Sequence, residues 1–250
     1  MSRTSSRPTV IDRYGEVLQR VLREIFSDER DAIERTALLA ARSIASGGVL
    51  HVFGTGHSHL IALEAYGRAG GLAAVNAILD FGLTPFNRGR DGTLERLHGY
   101  ADIVVETEDL RQGEVAIVVS NSGINAVPIE FALACKARGL TTVALTNLNH
   151  SRASDSRHVS GSKLYQVADI VIDTHGVAGD AAVDLDGTRR IGPTSTVAAA
   201  AVVNAITARI AQLLVEQGEP SPVLVSQNLP GMEDHNRALM DHYRGRSRLA

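Results

Sequence analysis

Residues 114–119 read Glu-Val-Ala-Ile-Val-Val and stop on Ser120-Asn121-Ser122-Gly123. An apolar run this short, rich in β-branched side chains and bounded by turn residues, fits a strand buried on both faces, as the strands of parallel sheets are. Four more such runs lie at 49–53, 73–79, 141–145 and 168–172. Helical spacing fills the intervals. Val10, Tyr14, Val17, Leu18, Val21, Leu22 and Ile25 form one apolar stripe over 10–26. A second helix is expected from an Asp28 cap to Ser46, ended by Gly47-Gly48. Others are expected at 58–68, 93–107, 125–138, 194–217 and 233–243, with loops at 81–92 and 147–163. Strands that alternate with helices in this way build a parallel sheet covered on both faces, an α/β three-layer αβα sandwich. The 250 residues fit one such domain with helical extensions at both ends, and suffice for a core without disulfides or metals.

Bulk properties exclude several classes. The formal net charge is −3, which argues against nucleic acid as the main partner. The basic end at Arg244, Arg246 and Arg248 reads as a solvated tail. The single cysteine, Cys135, permits no intrachain disulfide and suits a reducing compartment, so a cytoplasmic location is expected. Its neighbours Phe131 and Ala132 give it a packing role. Residues 1–9 carry Ser and Arg but no apolar core, so they read as a tail and not a secretory signal. Residues 196–215 form the only membrane candidate. They are mostly alanine and are interrupted by Asn204, Arg209 and Gln212, which fits a buried core helix better, so no membrane is expected.

Ligands of open α/β sheets lie beyond the carboxyl ends of the strands. Gly54-Thr55-Gly56-His57-Ser58 follows the first strand; Ser120-Asn121-Ser122-Gly123-Ile124-Asn125 follows the third. Glycines let backbone approach closely, helix starts present unpaired N–H groups, and serine hydroxyls add compact donors, a chemistry suited to a phosphate. One such loop alone would pass for an ordinary turn with a serine cap; two in one sheet favour phosphate. A nicotinamide cofactor is not expected. The first loop has His59 where the dinucleotide fingerprint needs glycine, and no acidic residue is read at the end of the second strand. No Walker lysine is present, and no histidine pair has metal-ligand spacing, so neither a cofactor nor a metal is expected.

These paired loops resemble the SIS (sugar isomerase) family of phosphosugar isomerases and binding domains. The similarity rests on Val52-Phe53-Gly54-Thr55-Gly56-His57-Ser58, Val118-Val119-Ser120-Asn121-Ser122-Gly123 and Pro193-Thr194-Ser195-Thr196, and covers roughly 35–217. A group of bacterial sugar isomerase-like proteins looks similar at His150-Ser151, Ser156-Arg157-His158, Ser160 to Tyr165, Gly179-Asp180-Ala181 and His235-Asn236-Arg237. The resemblance implies a flavodoxin-like five-stranded parallel sheet, with 1–34 as tail and helix, 35–217 as the SIS domain and 218–250 as an extension of the same unit. It also implies a homodimer with the active site near the subunit interface. A sugar phosphate would sit on Thr55, Gly56, His57, Ser58, Ser120, Asn121, Ser122, Gly123 and Asn125, with His57 and His59 flanking Ser58 and within reach of the sugar.

Four residues are candidates for proton transfer. Glu64 lies in Leu63-Glu64-Ala65-Tyr66-Gly67-Arg68, similar to the catalytic-glutamate helix of heptose-phosphate isomerases, although its spacing from Ser58 is about one turn shorter. Leu97-His98-Gly99-Tyr100-Ala101-Asp102 resembles the segment of N-acetylmuramic acid 6-phosphate etherases that holds an acid/base glutamate, here His98. Glu95, His98 and Asp102 share one face of the expected 93–107 helix, and Glu95 is the alternative for that role. His235, in the C-terminal segment, is the fourth, a candidate to serve the partner subunit. The expected reaction is removal of the C2 proton of an aminosugar 6-phosphate such as an N-acetylhexosamine 6-phosphate, with Glu64 as the base and His98 or Glu95 as the acid for elimination. Elimination by a lyase of dehydratase or etherase type, or aldose–ketose isomerisation, follows. The rival is a phosphosugar-binding regulator without turnover.

Overall fold

The computed structural model describes residues 8–247. Most of the expected N-terminal tail, 1–7, and Arg248 lie outside the described residues. Thr9 is no longer tail: its hydroxyl accepts the amide of Asp12 (3.3 Å) while the Asp12 carboxylate accepts the amide of Thr9 (2.8 Å), a reciprocal cap that starts the first helix. In chain order the elements are α1 (Val10–Asp28), α2 (Arg30–Ala45), β1 (Leu50–Gly54), α3 (His59–Ala65), β2 (Val75–Ile78), α4 (Asp91–Leu94), α5 (Tyr100–Glu106) and β3 (Val115–Val119). There follow α6 (Ala126–Ala137), β4 (Thr141–Thr146), α7 (Leu148–Ala153), α8 (Leu164–Val167), β5 (Ile170–Asp173), β6 (Val183–Asp184), β7 (Arg190–Ile191), α9 (Ser195–Glu216) and α10 (Glu233–His242).

The five parallel strands lie in the order β2-β1-β3-β4-β5, the expected sandwich. From β1 the chain moves outward to β2, then crosses back over β1 to β3 and continues away. The direction of winding therefore reverses between β1 and β3, where such sheets hold their ligands. Gly54 is in register with Val119, so Thr55 and Ser120 emerge side by side at the carboxyl edge.

The pleat divides the core between the two helical layers. Leu50, Val52, Val115, Ile117 and Val119 face one layer, with Val21 and Ile25 of α1, Ala37 and Ala41 of α2, Ile61 of α3 and Val202 and Ile206 of α9. Phe53, Ala116 and Val118 face the other, with Val104 of α5 and Ile129 and Phe131 of α6. Phe53 stacks on Phe131 with ring centroids 4.0 Å apart. Helix α9 alone among the described residues is long and apolar enough to cross a membrane, and half of that stretch is buried inside the protein. It packs on α2 and α3 as a core helix.

Several expectations fail for local reasons. Asp28 closes α1 instead of capping α2, and Glu29 is the junction. Helix α3 ends at Ala65, not Arg68. The expected 93–107 helix is two: Gly99 takes a left-handed conformation (φ 79°) between α4 and α5. Glu95, His98 and Asp102 therefore share no helical face. The polar 147–163 stretch contains α7, and a small antiparallel pair, β6–β7, went unread. Of the C-terminal arginines, Arg246 is not solvated, whereas Arg244 is exposed and pairs with Asp241. Arg246 pairs with Glu114 and Asp109, its Nη1 donates to the Asp109 carbonyl (2.7 Å), and Ser247 Oγ donates to the Val75 carbonyl (2.8 Å). Residues 246–247 are fastened beneath the amino edge of β1, β2 and β3.

Candidate active site

The first loop leaves β1 through a glycine that nothing larger can replace. A Cβ on Gly54 would lie 2.6 Å from the Cβ of Ser58. Thr55 is extended, residues 56–58 make one tight turn with Gly56 at φ 55°, and α3 follows at once. The second loop closes on itself: Ser120 Oγ accepts the amide of Gly123 (3.1 Å). Gly123, at φ 62°, turns hard against the hydroxyls of Thr146 and Ser151. The hydroxyls of Ser58 and Ser122 stay half-exposed, without a hydrogen bond to another described residue. Asn121 Oδ1 is buried with no partner. Asn125 caps the start of α6, and its buried side-chain carbonyl accepts from Arg157 Nη1 (2.7 Å). Two free hydroxyls and a guanidinium beside a helix start are donors suited to an anionic ligand, and the unpaired carboxamide oxygen can accept from a ligand hydroxyl.

Glu95 joins the two loops. Its carboxylate accepts the hydroxyl of Thr55 (2.8 Å), and its backbone carbonyl accepts the amide of Val127 in the first turn of α6 (3.0 Å). Burial raises its pKa against the opposing pull of the Thr55 hydroxyl and the positive charges of Arg96 and Arg157. A carboxyl with a raised pKa, bonded to the ligand loop, has the properties of a general acid or base.

The other candidates are scattered. His98 is exposed and pairs through Nδ1 with Glu130 Oε1 (2.9 Å), with His158 on the far side of the same oxygen (3.6 Å). Glu64 sits at the end of α3 farthest from its loop, about 9 Å from Ser58 along the axis at 1.5 Å per residue. There it accepts from Asn204 Nδ2 (2.7 Å) and pairs with Arg68. His235 donates to or accepts from nothing near the loops; its Nε2 lies 3.0 Å from the Val223 carbonyl, and Val223 flanks Leu72 before β2 begins, at the opposite edge of the sheet. His57 is exposed on the first loop, whereas His59 is buried beneath it, and burial lowers its pKa, favouring the neutral imidazole. His59 is therefore not a sugar contact of the kind expected.

Five residues at or near the site carry no role readable from the sequence. Arg157 meets the second loop, its amide donating to the Ile124 carbonyl (2.9 Å), and Glu130 and His158 gather at His98. Asp180, at φ 57°, accepts from the amides of Thr194 (2.8 Å) and Ser195 (2.9 Å) and from both hydroxyls, so a carboxylate of the chain itself already fills the anion position at the start of α9. Asp80 follows β2 by two residues, close to where a dinucleotide fold places its ribose acid. It is already engaged by the Leu83 amide (3.2 Å) and the Tyr100 hydroxyl (3.0 Å).

Comparison with known proteins agrees with this arrangement. A family model described as SIS domain matches residues 13–147. A UPF0309 protein of Geobacillus thermodenitrificans is 38% identical over 239 residues, covering 95% of this chain and 96% of that protein. A UPF0309 protein of Listeria innocua is 37% identical over 239 residues, covering 95% and 97%. Among solved structures, a phosphoheptose isomerase from Francisella tularensis aligns with a TM-score of 0.55 at 16% identity, covering 81% of this chain and 96% of that one. A phosphoheptose isomerase from Neisseria gonorrhoeae aligns at 0.51 and 18% identity, covering 79% and 92%. At such identities the structures speak for the fold. With the sheet order, the paired loops and these relatives together, the chain belongs to the SIS domain family and shares the UPF0309 family with its sequence relatives.

Proposed function

We propose that this protein is a cytoplasmic sugar-phosphate enzyme that removes the proton at C2 of an aminosugar 6-phosphate, an N-acetylhexosamine 6-phosphate. The observation that carries the reading is the Thr55–Glu95 hydrogen bond, which ties an acid/base of raised pKa to a loop suited to phosphate. The phosphate is held by Ser58, Ser120, Ser122 and the Gly123 turn, and Asn121 and Asn125 take sugar hydroxyls. Opening of the ring exposes the C1 aldehyde, which acidifies C2. Glu95 takes that proton, and donors in the loops stabilise the enolate. On a hexose 6-phosphate, whose C2 carries a hydroxyl, return of the proton to C1 with transfer of the O2 proton to O1 gives the ketose; an N-acetylhexosamine has nitrogen at C2 and cannot take this branch. If the C3 substituent departs with the proton that Glu95 has taken, the product is an unsaturated sugar; this elimination, the lyase outcome of dehydratase or etherase type, is the branch we favour. Glu64, held by Asn204 and Arg68, is a positioning residue for α3 in this scheme. The assembly proposed is a homodimer with the site near the subunit interface. His235, remote from the loops of its own chain, would reach the partner's site.

The test is proton NMR in D₂O with hexose and N-acetylhexosamine 6-phosphates. Exchange or loss of the C2 proton supports the enzyme, and a vinyl signal identifies elimination. Glu95→Gln should slow that exchange by about 10²–10⁴-fold while leaving ligand binding intact. A C2 proton that persists on every sugar, one of which still raises the melting temperature, would replace the enzyme with a phosphosugar-binding regulator.

A further inference from the structure

Beside the loops, three side chains from distant parts of the sequence converge on one point. His98 precedes α5, Glu130 lies in the second turn of α6, and His158 follows α7. One ligand atom from each lies within 4.8 Å of the others. Glu130 Oε1 is central, 2.9 Å from His98 Nδ1 and 3.6 Å from His158 Nε2. The two imidazoles are tilted at 54° with centroids 5.4 Å apart, so they converge on the carboxylate instead of stacking.

We infer that His98, Glu130 and His158 form a binding site for a divalent transition metal, with zinc the best fit. Two imidazoles and one carboxylate are a donor set that zinc takes with a fourth position open to solvent or ligand. Bonds of about 2.0–2.2 Å at tetrahedral angles put neighbouring ligand atoms about 3.4 Å apart. The two separations from Oε1 bracket that figure, and the third, between the two imidazoles, lies within 4.8 Å, so side-chain adjustment makes the sphere. Calcium and magnesium are disfavoured because they prefer oxygen ligands.

The surroundings are those of a positioned ligand set. His158 Nδ1 lies 2.7 Å from Ser160 Oγ, which leaves Nε2 facing the centre. Glu130 Oε2 accepts the amide of Gly99 (2.9 Å), which fixes the carboxylate and turns Oε1 inward. His158 and Glu130 side chains are only 9% and 16% exposed, while His98 is 41% exposed and marks the open side. An ion pair without metal would need no second imidazole at the same oxygen. The left-handed Gly99 is what brings His98 there, because a continuous helix would carry it elsewhere.

The test uses the full, tag-free chain after chelator treatment, titrated with Co²⁺ and followed by its visible absorption, with Zn²⁺ competition. The readout is metal occupancy, so it stands apart from the sugar-phosphate reading. One equivalent of Co²⁺ with an intense tetrahedral spectrum, displaced by Zn²⁺, is expected. His158→Ala and Glu130→Gln should each weaken binding by at least about tenfold, and His242→Ala should not change it. Circular dichroism establishes that each variant is folded. No binding by the wild type, or equal binding by the wild type and by folded His158→Ala and Glu130→Gln, would overturn the site.

Discussion

Replacing Gly123 with alanine should cost stability by two separable routes. The backbone there has φ 62°, and an L residue in the left-handed region costs about 1–2 kcal/mol. The added methyl would also lie 2.9 Å from Thr146 Oγ1, 3.2 Å from Ser151 Oγ and 3.4 Å from Leu164 Cβ. These neighbours are buried and have little room to move, so overpacking adds roughly 1–3 kcal/mol. The sum is roughly 2–5 kcal/mol, a fall in Tm of roughly 4–20 °C for a chain of this size. Gly113 supplies the control. Its φ is 86°, but a Cβ there meets nothing within 4 Å, so Gly113→Ala should show only the backbone cost. Removing the nearest obstacle with Thr146→Ala in the Gly123→Ala background should recover part of the steric cost and none of the backbone cost. Urea unfolding with m-values, alongside calorimetry, measures all four proteins. Equal losses for Gly123→Ala and Gly113→Ala would refute the claim that this loop is packed against β4 and α7, and with it the geometry of the proposed phosphate cradle.

Three further outcomes follow from particular contacts. Asp180→Ala removes the carboxylate that caps α9 and should cost about 1–2 kcal/mol in urea unfolding; a neutral result would mean the four hydrogen bonds are not made in solution. Burial pushes the Glu114 pKa up, but hydrogen bonds from His51 and from the Arg111 and Val49 amides outweigh it, and the net shift is downward. Its contribution to stability is therefore complete above its unfolded pKa near 4.5 and is lost as pH falls through the lower folded value, so the urea midpoint should drop below about pH 4.5 and drop less in Glu114→Gln. Burial raises the Cys135 thiol to about 12, so a thiol reagent at pH 8 should leave it untouched in the native protein and label it on unfolding; rapid native labelling would contradict its burial.

What could be read from the sequence was whatever depends on neighbours along the chain. Strands β1 and β3 are buried on both faces, so their apolar runs are unbroken and end on glycine and serine, and both loops of the candidate site were legible for that reason. The alternation of strand and helix then left few topologies open. The break at Gly99 was hidden because Leu94, Leu97, Ala101 and Val104 keep helical spacing across it, and only a glycine's left-handed turn, with its amide on Glu130, overrides that period. Arg246 read as a solvated arginine because its partners, Glu114 and Asp109, lie more than 130 residues earlier.

The site divides in the same way. Composition and order marked Ser58, Ser120, Ser122 and Gly123 as a phosphate setting before any contact was known. Glu95 was one candidate among several until the crossover from β2 to β3 carried it over β1 to Thr55, where burial could act on its pKa. Glu64 and His235 keep their motifs but meet other partners, Glu64 at the far end of α3 with Asn204 and Arg68, and His235 at the Val223 carbonyl. His98, Glu130 and His158 carry no shared spacing at all. Local sequence alone determined the sheet and its two ligand loops, since strand burial and turn chemistry act over a few residues. The tertiary structure decided which side chains meet at them, since those meetings depend on how far and in which direction each crossover carries the chain.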